Sequence, residues 1–478
     1  MVAPKPGFRG FHWKLGVGER RTLLLIGDLI VATLSLAIAL YAWGTSERFT
    51  GFSVEFLQKR VPMWFYLMPL VWLILMVELY DVHRASDWTE TMRGVGIAAL
   101  LGVILYLALY FYYYQPPKSL LPRLGVATFV VTVSILTLIW RRVYIHLFTA
   151  PHLMRRVLLV GGGSSGQLLL KEINNLKIKP FVLVGIIDDD HRKLGKFVEK
   201  HQVIGSSEHL LKIIKDNKIS DVIVAITGEM QGTMFQALLD AQELGVEIIR
   251  MPTIYEELLG RVPILSLEAN WILRSFVDEV QISGFYLLGK RLLDIIGGLI
   301  GSLIFLLLLP FIALVTIVDD GFPIFYSQTR FGRGGQPYGI VKFRTMSRDA
   351  EPDGQPRWAS EDDERATRSG RLLRKTHLDE LPQFLNVLRG DMSLVGPRAE
   401  RPELVEYFQS HIPFYRARLL VKPGITGWAQ VNYGYASTIE ETITKLEYDL
   451  YYIKHRSVIT DLVILLRTPA TVFGFRGR

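Results

Sequence analysis

The stretch "RRVLLVGGGSSG", from Arg155 to Gly166, decides how the middle of this 478-residue chain folds. Its uninterrupted apolar run, Val157–Val160, is typical of a strand that is buried on both faces of a parallel sheet. Gly161, Gly163 and Gly166 follow in the pattern G-x-G-x-x-G, and "QLLLKEI" then begins a helix. The stretch therefore predicts a strand, a tight turn and a helix, which together open a Rossmann-like parallel α/β domain.

Further strand patterns extend this domain over residues 151–275. Val182–Ile187 ends at Asp188, about 20 residues after the glycines, where a dinucleotide-binding domain carries an acidic residue. Asp221–Ile226 and Val246–Pro252 predict two more parallel strands. The candidate nucleotide-binding residues are Gly161, Gly163, Gly166 and Asp188. Two interpretations stay open: the glycines seat a pyrophosphate, or they only form the tight turn of a domain that binds no dinucleotide.

Four apolar runs lie within residues 1–150, and each is close to the ~20 residues that a helix needs to cross a membrane. They are Leu23–Trp43, Val61–Leu79, Gly94–Tyr114 and Leu124–Ile139. The chain is 50% hydrophobic and its mean hydropathy is +0.26, which also favours membrane segments. We predict a four-helix transmembrane bundle with both ends in the cytoplasm, because Lys and Arg are enriched at those ends. Asp28, inside the first run, is predicted to snorkel or to pair within the bundle.

The overall charge and the missing cysteines limit the chemistry. The formal net charge is +8 and the pI is about 9.3, a balance that fits nucleic acid, anionic lipid headgroups or phosphorylated substrates. The chain contains no cysteine, so disulfides, cysteine-based zinc sites and thiol nucleophiles are excluded.

A fifth apolar run, Leu292–Val318, follows the α/β domain and is interrupted by glycines and by Pro310. Taken alone it predicts a membrane-spanning helix. Basic residues flank it on both sides, however, and this places both of its ends on the same face of the membrane. We therefore predict a re-entrant helix over about residues 290–318 that breaks near Pro310.

In the remaining polar segment, the acidic pair Asp379 and Glu380 precedes Pro382. On the charge pattern alone, a pair that complements the dipole of a helix N-terminus is favoured. Cations from separate segments point to a second possibility, a phosphate pocket: Lys342, Arg344, Arg374 and Arg398.

Such a pocket has predictable chemistry. Its positive charges are expected to lower the pKa of a carboxyl group and keep it ionised. An ionised Asp379 can then attack phosphorus, provided that cations or a metal offset the repulsion between the charges. A neighbouring carboxylate, Glu380, can hold Mg²⁺ or accept a proton.

The motifs "KFRTM", "DELPQFLNVLRGDMSLVGPR" and "KPGITGWAQVN", in this order after a broken apolar helix, resemble the bacterial sugar transferase family. These are monotopic polyprenyl-phosphate glycosyl-1-phosphate transferases, and the resemblance covers about Gly289–Phe473. The four-helix start and the Rossmann-like middle are similar to the large members that initiate exopolysaccharide, capsule or O-antigen synthesis. The resemblance implies a mainly helical catalytic domain over residues 285–478 with a re-entrant helix.

The resemblance also implies a two-step reaction. Asp379 would attack the β-phosphorus of a UDP-sugar and release UMP, and undecaprenyl phosphate would then take the sugar phosphate from the aspartate. Glu380 would assist, through Mg²⁺ held by the two carboxylates or as a base. The implied phosphate-binding residues are Lys342, Arg344, Arg374 and Arg398. The implied setting is the bacterial inner membrane, with the catalytic domain on the cytoplasmic face, a homodimer, membrane lipid as a partner and no nucleic acid.

Some positions depart from the family pattern. Ala399 replaces a common proline after Arg398, and Tyr433 and Gly434 stand where an arginine often faces the nucleotide. Two alternatives stay open: a non-enzymatic membrane scaffold whose middle domain senses a nucleotide, and a membrane-bound NAD-dependent nucleotide-sugar dehydratase or epimerase. Such an enzyme needs a Tyr-x-x-x-Lys pair, which Tyr286 and Lys290 supply, although they lie at the start of the fifth apolar run.

Overall fold

The computed structural model describes residues 17–46, 51–80, 82–113, 123–148, 154–176, 179, 181–266, 284–347, 365–434 and 438–472. The chain forms two compact units, Met1–Ile249 and Arg250–Arg478. Helices of the first unit are α1 (Val17–Ser46), α2 (Val54–Lys59), α3 (Met68–Leu75), α4 (Val82–Ala85), α5 (Trp88–Tyr113), α6 (Arg123–Phe148), α7 (Ser164–Asn175), α8 (Ser207–Asn217) and α9 (Gly232–Glu243). Its strands are β1 (Arg155–Val160), β2 (Phe181–Ile187), β3 (Phe197–Val198), β4 (His201–Gly205), β5 (Asp221–Val224) and β6, which ends at the boundary (Glu247–Arg250).

The N-terminal helices confirm three of the four predicted spans. α1, α5 and α6 are long and apolar enough to cross a membrane. The second predicted span, Val61–Leu79, is wrong as a single helix: it forms a 3₁₀ turn (Met63–Leu67), then α3, then a second 3₁₀ turn (Val77–Tyr80). A helix over the whole run would carry Pro69 in its interior, where proline removes a hydrogen bond and clashes. α3 instead begins at Met68, so that Pro69 lies in its first turn.

A buried ion pair links two of these helices, as the sequence predicted for Asp28. Arg141 of α6 donates from Nη2 to Asp28 of α1 at 2.5 Å, and neither side chain is exposed. Arg141 also donates from Nη1 to the carbonyl oxygen of Leu79 at 2.9 Å. An unpaired charge here would be costly, and the pair therefore joins α1, α6 and the second 3₁₀ turn.

The predicted parallel α/β domain is present. Its six strands lie in the order β3-β4-β2-β1-β5-β6, and β1 pairs in parallel with both β2 and β5. The short β3 is antiparallel to its neighbour β4. The predicted last strand ends earlier than expected: β6 stops at Arg250, and Pro252 lies in the first turn of the helix that follows.

The second unit is mainly helical. Its helices are α10 (Met251–Leu259), α11 (Gly284–Asp320), α12 (Arg368–Lys375), α13 (Gln383–Arg389), α14 (Pro402–His411), α15 (Trp428–Asn432), α16 (Ile439–Lys454) and α17 (Val458–Val472). Its strands are β7 (Phe325–Phe331), β8 (Pro337–Phe343), β9 (Ser393–Val395) and β10 (Gly424–Thr426). β7 and β8 form an antiparallel hairpin, and β9 and β10 pair in parallel.

α11 is the fourth helix long and apolar enough to span a membrane, and it is continuous over 37 residues with Pro310 inside it. The predicted break near Pro310 therefore does not end the helix. The glycines of its first half, Gly297, Gly298 and Gly301, face α13 and β9. A methyl group on Gly298 would lie 2.8 Å from a Leu388 methyl carbon, and one on Gly301 would overlap the ring of Phe384. Their missing side chains let α11 pack closely against the segment that follows the acidic pair.

Candidate active site

The acidic pair lies in a 3₁₀ turn, Leu378–Glu380, between α12 and α13. The turn begins after His377, a non-glycine residue in the left-handed region at φ +56°. Asp379 and Glu380 are each only 8% exposed. A pair that merely complemented a helix dipole could stay in solvent, and burial of two adjacent carboxyl groups demands specific partners.

Two of the predicted cations supply those partners for Glu380. Lys342 Nζ of β8 and Arg398 Nη2, beyond β9, each donate to Glu380 Oε1 at 2.7 Å. Residues 38 and 18 positions away from Glu380 in the sequence therefore meet at one carboxylate oxygen. Hydrogen bonds between ionised groups are the strongest that protein side chains make.

The two carboxyl groups differ in their protonation. Burial opposes the ionisation of Glu380, but Arg398 and Lys342 outweigh burial and hold its pKa well below the usual range. Burial, and after it the charge of Glu380, raise the pKa of Asp379 to about 6, against the weaker effects of Lys342, Arg398 and Arg374. The sequence predicted a lowered pKa for the nucleophile. The pKa of Asp379 is instead raised, because burial and the charge of Glu380 outweigh the three cations, and it is Glu380 whose pKa is lowered.

The other two predicted phosphate ligands are placed differently. Arg374 of α12 is close enough to Asp379 to lower its pKa. Arg344 instead donates from Nη2 to the carbonyl oxygens of Asp320 and Gly321, at 2.8 and 2.6 Å. Arg344 therefore ties β8 to the C-terminal end of α11, and the described contacts do not place it at the acidic pair.

Asn386 is a functional candidate that the sequence analysis missed. Its Nδ2 donates to the carbonyl oxygen of Gly339 at 2.9 Å, and its Oδ1 accepts from the amide of Val341 at 3.4 Å. Asn386 thus fixes the strand that carries Lys342 against the helix that follows the acidic pair. Its position inside "DELPQFLN" was the available signal.

Arg418 is a second missed residue. It is 4% exposed, and its Nη2 donates to the carbonyl oxygen of Arg398 at 3.0 Å and to Asp449 at 2.9 Å. It also lies 3.5 Å from Glu400. Arg418 therefore supports the backbone of Arg398, one of the two cations that bind Glu380, and nothing in its own sequence surroundings indicated this role.

The carboxylates fit a magnesium ion only in combination with substrate. Among the described residues, no group of three or more His, Asp or Glu side chains could hold a metal ion. Mg²⁺ is commonly bound in proteins by one or two carboxylates, with phosphate oxygens and water completing its coordination. Asp379 and Glu380 supply that number of carboxylates, and a diphosphate would supply the phosphate oxygens.

In the α/β domain, the structure favours a packing role for the glycines. Gly161 has φ +101°, and a methyl group on Gly166 would collide with the Gly161 carbonyl oxygen. Asp188 accepts from the amide of Gly162 at 2.8 Å and from Lys193 Nζ at 2.9 Å. The acidic residue is thus occupied by groups of its own domain. The predicted ligand-binding roles of Gly161, Gly163, Gly166 and Asp188 stay predictions.

Lys290 of the alternative Tyr-x-x-x-Lys pair is held in structural contacts. Its Nζ lies 2.9 Å from Asp461, 2.9 Å from the carbonyl oxygen of Val395 and 3.1 Å from the hydroxyl of Tyr452. These bonds fasten the start of α11 to β9, α16 and α17. The arrangement gives no support to a dehydratase or epimerase site at Tyr286 and Lys290.

A buried acidic pair with cations at its carboxylates, beside a long apolar helix, is an arrangement suited to binding phosphate esters near a membrane. Residues 285–475 match the bacterial sugar transferase family, and residues 76–252 match a family described as a CoA-binding domain. The chain belongs to the bacterial sugar transferase family.

Curated relatives agree with this assignment. The chain is 39% identical over 234 residues to the UDP-N-acetylgalactosamine-undecaprenyl-phosphate N-acetylgalactosaminephosphotransferase of Aeromonas hydrophila, covering 49% of this chain and 54% of the relative. It is 33% identical over 328 residues to the UDP-glucose:undecaprenyl-phosphate glucose-1-phosphate transferase of Escherichia coli. This match covers 66% of this chain and 67% of the relative. A protein of the same description from Caulobacter vibrioides is 44% identical over 184 residues, 38% of this chain and 68% of the relative. The match thus spans about half of the Aeromonas relative and two thirds of the other two.

Proposed function

We propose that this protein transfers a sugar 1-phosphate from a UDP-sugar to undecaprenyl phosphate, releases UMP and so initiates polysaccharide synthesis. The observation that carries the proposal is the pairing of a buried Asp379, whose pKa is raised to about 6, with a Glu380 that binds Lys342 and Arg398. The names of the relatives supply the substrate class. Exopolysaccharide, capsule and O-antigen are the products that this first step serves.

The geometry supports a covalent first step. The carboxylate of Asp379 attacks the β-phosphorus, the bond from phosphorus to the bridging oxygen breaks, and UMP leaves with the electron pair. A carboxyl group with a raised pKa is a more basic nucleophile than an ordinary aspartate, yet it is still mostly ionised at neutral pH. In the second step a phosphate oxygen of undecaprenyl phosphate attacks the same phosphorus, and Asp379 leaves as a carboxylate.

The surrounding cations stabilise the charge that develops during both steps. Lys342 and Arg398 are fixed at Glu380 before substrate arrives, so little reorganisation is needed for them to meet phosphate oxygens. Arg374 contributes positive charge near Asp379. Mg²⁺, held by Asp379 and Glu380 together with the diphosphate, would neutralise charge on the phosphate oxygens.

The contacts of α11 support a re-entrant arrangement. Lys290 near its start binds Asp461, and Asp320 at its end accepts from Arg344. Both ends of the helix are therefore fastened to the same polar unit. A helix that crossed the membrane would place these ends on opposite faces, whereas a re-entrant helix leaves both with the catalytic unit on the cytoplasmic side. We include the inner membrane, a homodimer and the absence of a nucleic-acid partner in this proposal.

Release of UMP tests the assignment of Asp379. The wild-type chain should release UMP from at least one UDP-sugar of a panel in the presence of Mg²⁺ and undecaprenyl phosphate. Without the acceptor it should still release a stoichiometric burst, because the covalent step precedes acceptor attack. Asp379→Asn should abolish both signals.

The matched control is Glu403→Gln, which removes an acidic charge from a side chain that is 62% exposed in the same unit. It should leave the burst intact. A full burst from Asp379→Asn would overturn the nucleophile assignment.

A further inference from the structure

A second group of cations lies at the opposite end of α13 from the acidic pair. Arg291 comes from α11, Arg333 from the turn between β7 and β8, Lys422 from the turn before β10, and Arg456 from the connection between α16 and α17. We call these four residues the distal basic cluster. Four separate segments of the chain contribute to it, so the sequence spacing alone does not reveal it.

Two members of the distal basic cluster meet at Gly390, which ends α13 at φ +96°, and Arg333 is close enough to Lys422 and Arg456 to lower the pKa of each. A methyl group on Gly390 would lie 3.4 Å from Lys422 Nζ and 3.7 Å from Arg291 Nη1. An ammonium and a guanidinium group therefore face the same small space. Arg291 also donates to the carbonyl oxygens of Val387 and Leu388, at 3.1 and 2.9 Å, and so caps α13.

Carboxylates near the distal basic cluster offset only part of its charge: Asp294 and Asp391 act on Lys422, and Asp461 acts on Arg456 but forms its ion pair with Lys290. Within the described ranges, no ion pair is recorded for Arg333, Lys422 or Arg456, and the Nε of Arg456 is buried with no hydrogen-bond partner. Burial lowers the pKa of Lys422, and the charges of Arg291 and Arg333 lower it further, against the opposite effects of Asp294 and Asp391. Asp294 accepts through Oδ1 from the hydroxyl of Ser393 and from the amide of Leu394, so one of its two oxygens is used by β9.

The distal basic cluster is separate from the catalytic pocket. Gly390 lies 11 residues after Asp379, and α13 occupies most of that interval. At 1.5 Å per residue, the seven residues of α13 alone span about 10 Å. An anion in contact with Gly390 therefore lies beyond contact distance of Asp379.

Exposed apolar side chains surround the start of α11 beside this cluster. Leu288 and Leu292 of α11 are 70% and 57% exposed, and Ile459 of α17, three residues after Arg456, is 74% exposed. α11 and α17 are in contact here, because a methyl group on Gly289 would lie 3.0 Å from Val458. Cations next to exposed apolar side chains suit a ligand that has both a phosphate and acyl chains.

We propose that the distal basic cluster binds the phosphate headgroup of an anionic membrane phospholipid and thereby holds the catalytic unit at the bilayer surface. The guanidinium groups offer paired donors to phosphate oxygens, and Lys422 adds a compact charge. The exposed leucines and isoleucine lie against the acyl chains. This inference needs only membrane association and is independent of the chemistry at Asp379.

The test measures lipid binding by the full-length chain in a neutral detergent. The probes are phosphatidylglycerol, diacylglycerol with the same acyl chains, undecaprenyl phosphate and inorganic phosphate. Wild type should bind phosphatidylglycerol at least ~10-fold more tightly than diacylglycerol, because only phosphatidylglycerol offers phosphate oxygens to the charged donors. A Lys422→Ala/Arg456→Ala double variant should lose that difference.

Two further variants keep the result interpretable. Arg333→Ala changes an exposed side chain, so it should retain the fold and lose part of the preference. Arg371→Ala removes one positive charge from the exposed face of α12, and it should leave the preference for phosphatidylglycerol unchanged. Equal binding of phosphatidylglycerol and diacylglycerol by wild type would overturn the proposal. So would variants that lose only undecaprenyl phosphate or only inorganic phosphate, because the site would then serve the acceptor or a free anion.

Discussion

Replacing Glu380 by glutamine tests the electrostatic division between the two carboxyl groups. Burial and the charge of Glu380 raise the pKa of Asp379 to about 6. Glu380→Gln removes that charge and also frees Lys342 and Arg398 from their ion pairs, so their positive charge acts fully on Asp379. One charge about 6 Å away, at an effective dielectric constant of about 20, contributes ~3 kcal/mol, or ~2 pKa units. The pKa of Asp379 should therefore fall by about that amount or more.

The sign of the pH effect follows from the proposed role of Asp379 as the nucleophile, because a nucleophilic carboxyl group must be ionised to attack. In the wild-type protein, the rate of the UMP burst should fall as the pH drops through about 6. In Glu380→Gln this fall should move to a pH that is lower by ~2 units, even if the maximal rate is reduced. The burst is measured without undecaprenyl phosphate, because a phosphate monoester itself titrates near pH ~6 and would obscure the result.

Glu380→Asp is the matched control, since it keeps the negative charge in a shorter side chain. In this variant, the rate of the UMP burst should fall at nearly the same acidic pH as in the wild type. If the burst rate of Glu380→Gln still falls near pH 6, or falls at a higher pH, the claim that Glu380 raises the pKa of Asp379 is refuted.

Two further predictions concern α11. Gly301→Ala should destabilise the protein by about 1–3 kcal/mol, seen as a lower thermal midpoint, because the added methyl group overlaps an aromatic ring of α13. Gly284→Ala meets nothing within 4 Å and should leave the midpoint unchanged, so equal effects would contradict the packing argument. Because the chain has no native cysteine, Leu288→Cys and Val318→Cys each give a single reactive thiol. Both should react from the cytoplasmic side only; reaction of Val318→Cys from outside would mean a spanning helix.

The sequence predicted the parallel sheet and the acidic pair because both have local patterns. A buried apolar run followed by glycines is a property of neighbouring residues, and β1 with its turn forms where expected. The prediction of a single helix over the second N-terminal run was wrong for a local reason too. The hydropathy of this run matched a membrane-spanning helix, but Pro69 shifted the start of the helix. Hydropathy averages over a window, whereas a single proline decides where a helix can begin.

The catalytic electrostatics could not be predicted from the sequence. Lys342 and Arg344 alternate on a strand and were expected to act together, yet only Lys342 meets Glu380 and Arg344 binds the end of α11. The alternation of residues along a strand determines the face of the strand on which a side chain lies. The partner of that side chain depends on which other elements pack against that face. The buried Arg418 behind Arg398 was missed for the same reason, because burial of a charged side chain is a tertiary property.

Glu380 acquires a more definite role from this geometry than the sequence could give it. Lys342 and Arg398 are partly desolvated, with side chains 20% and 34% exposed, so they are more stable with a partner when no substrate is bound. Glu380 supplies that partner, and both Lys342 and Arg398 reach the same oxygen at 2.7 Å. A diphosphate brings several oxygens that compete for these cations. As it takes them over, Glu380 becomes available for Mg²⁺ or a proton. We infer that Glu380 keeps the empty pocket organised, and that its catalytic contribution begins only when phosphate replaces it at the cations.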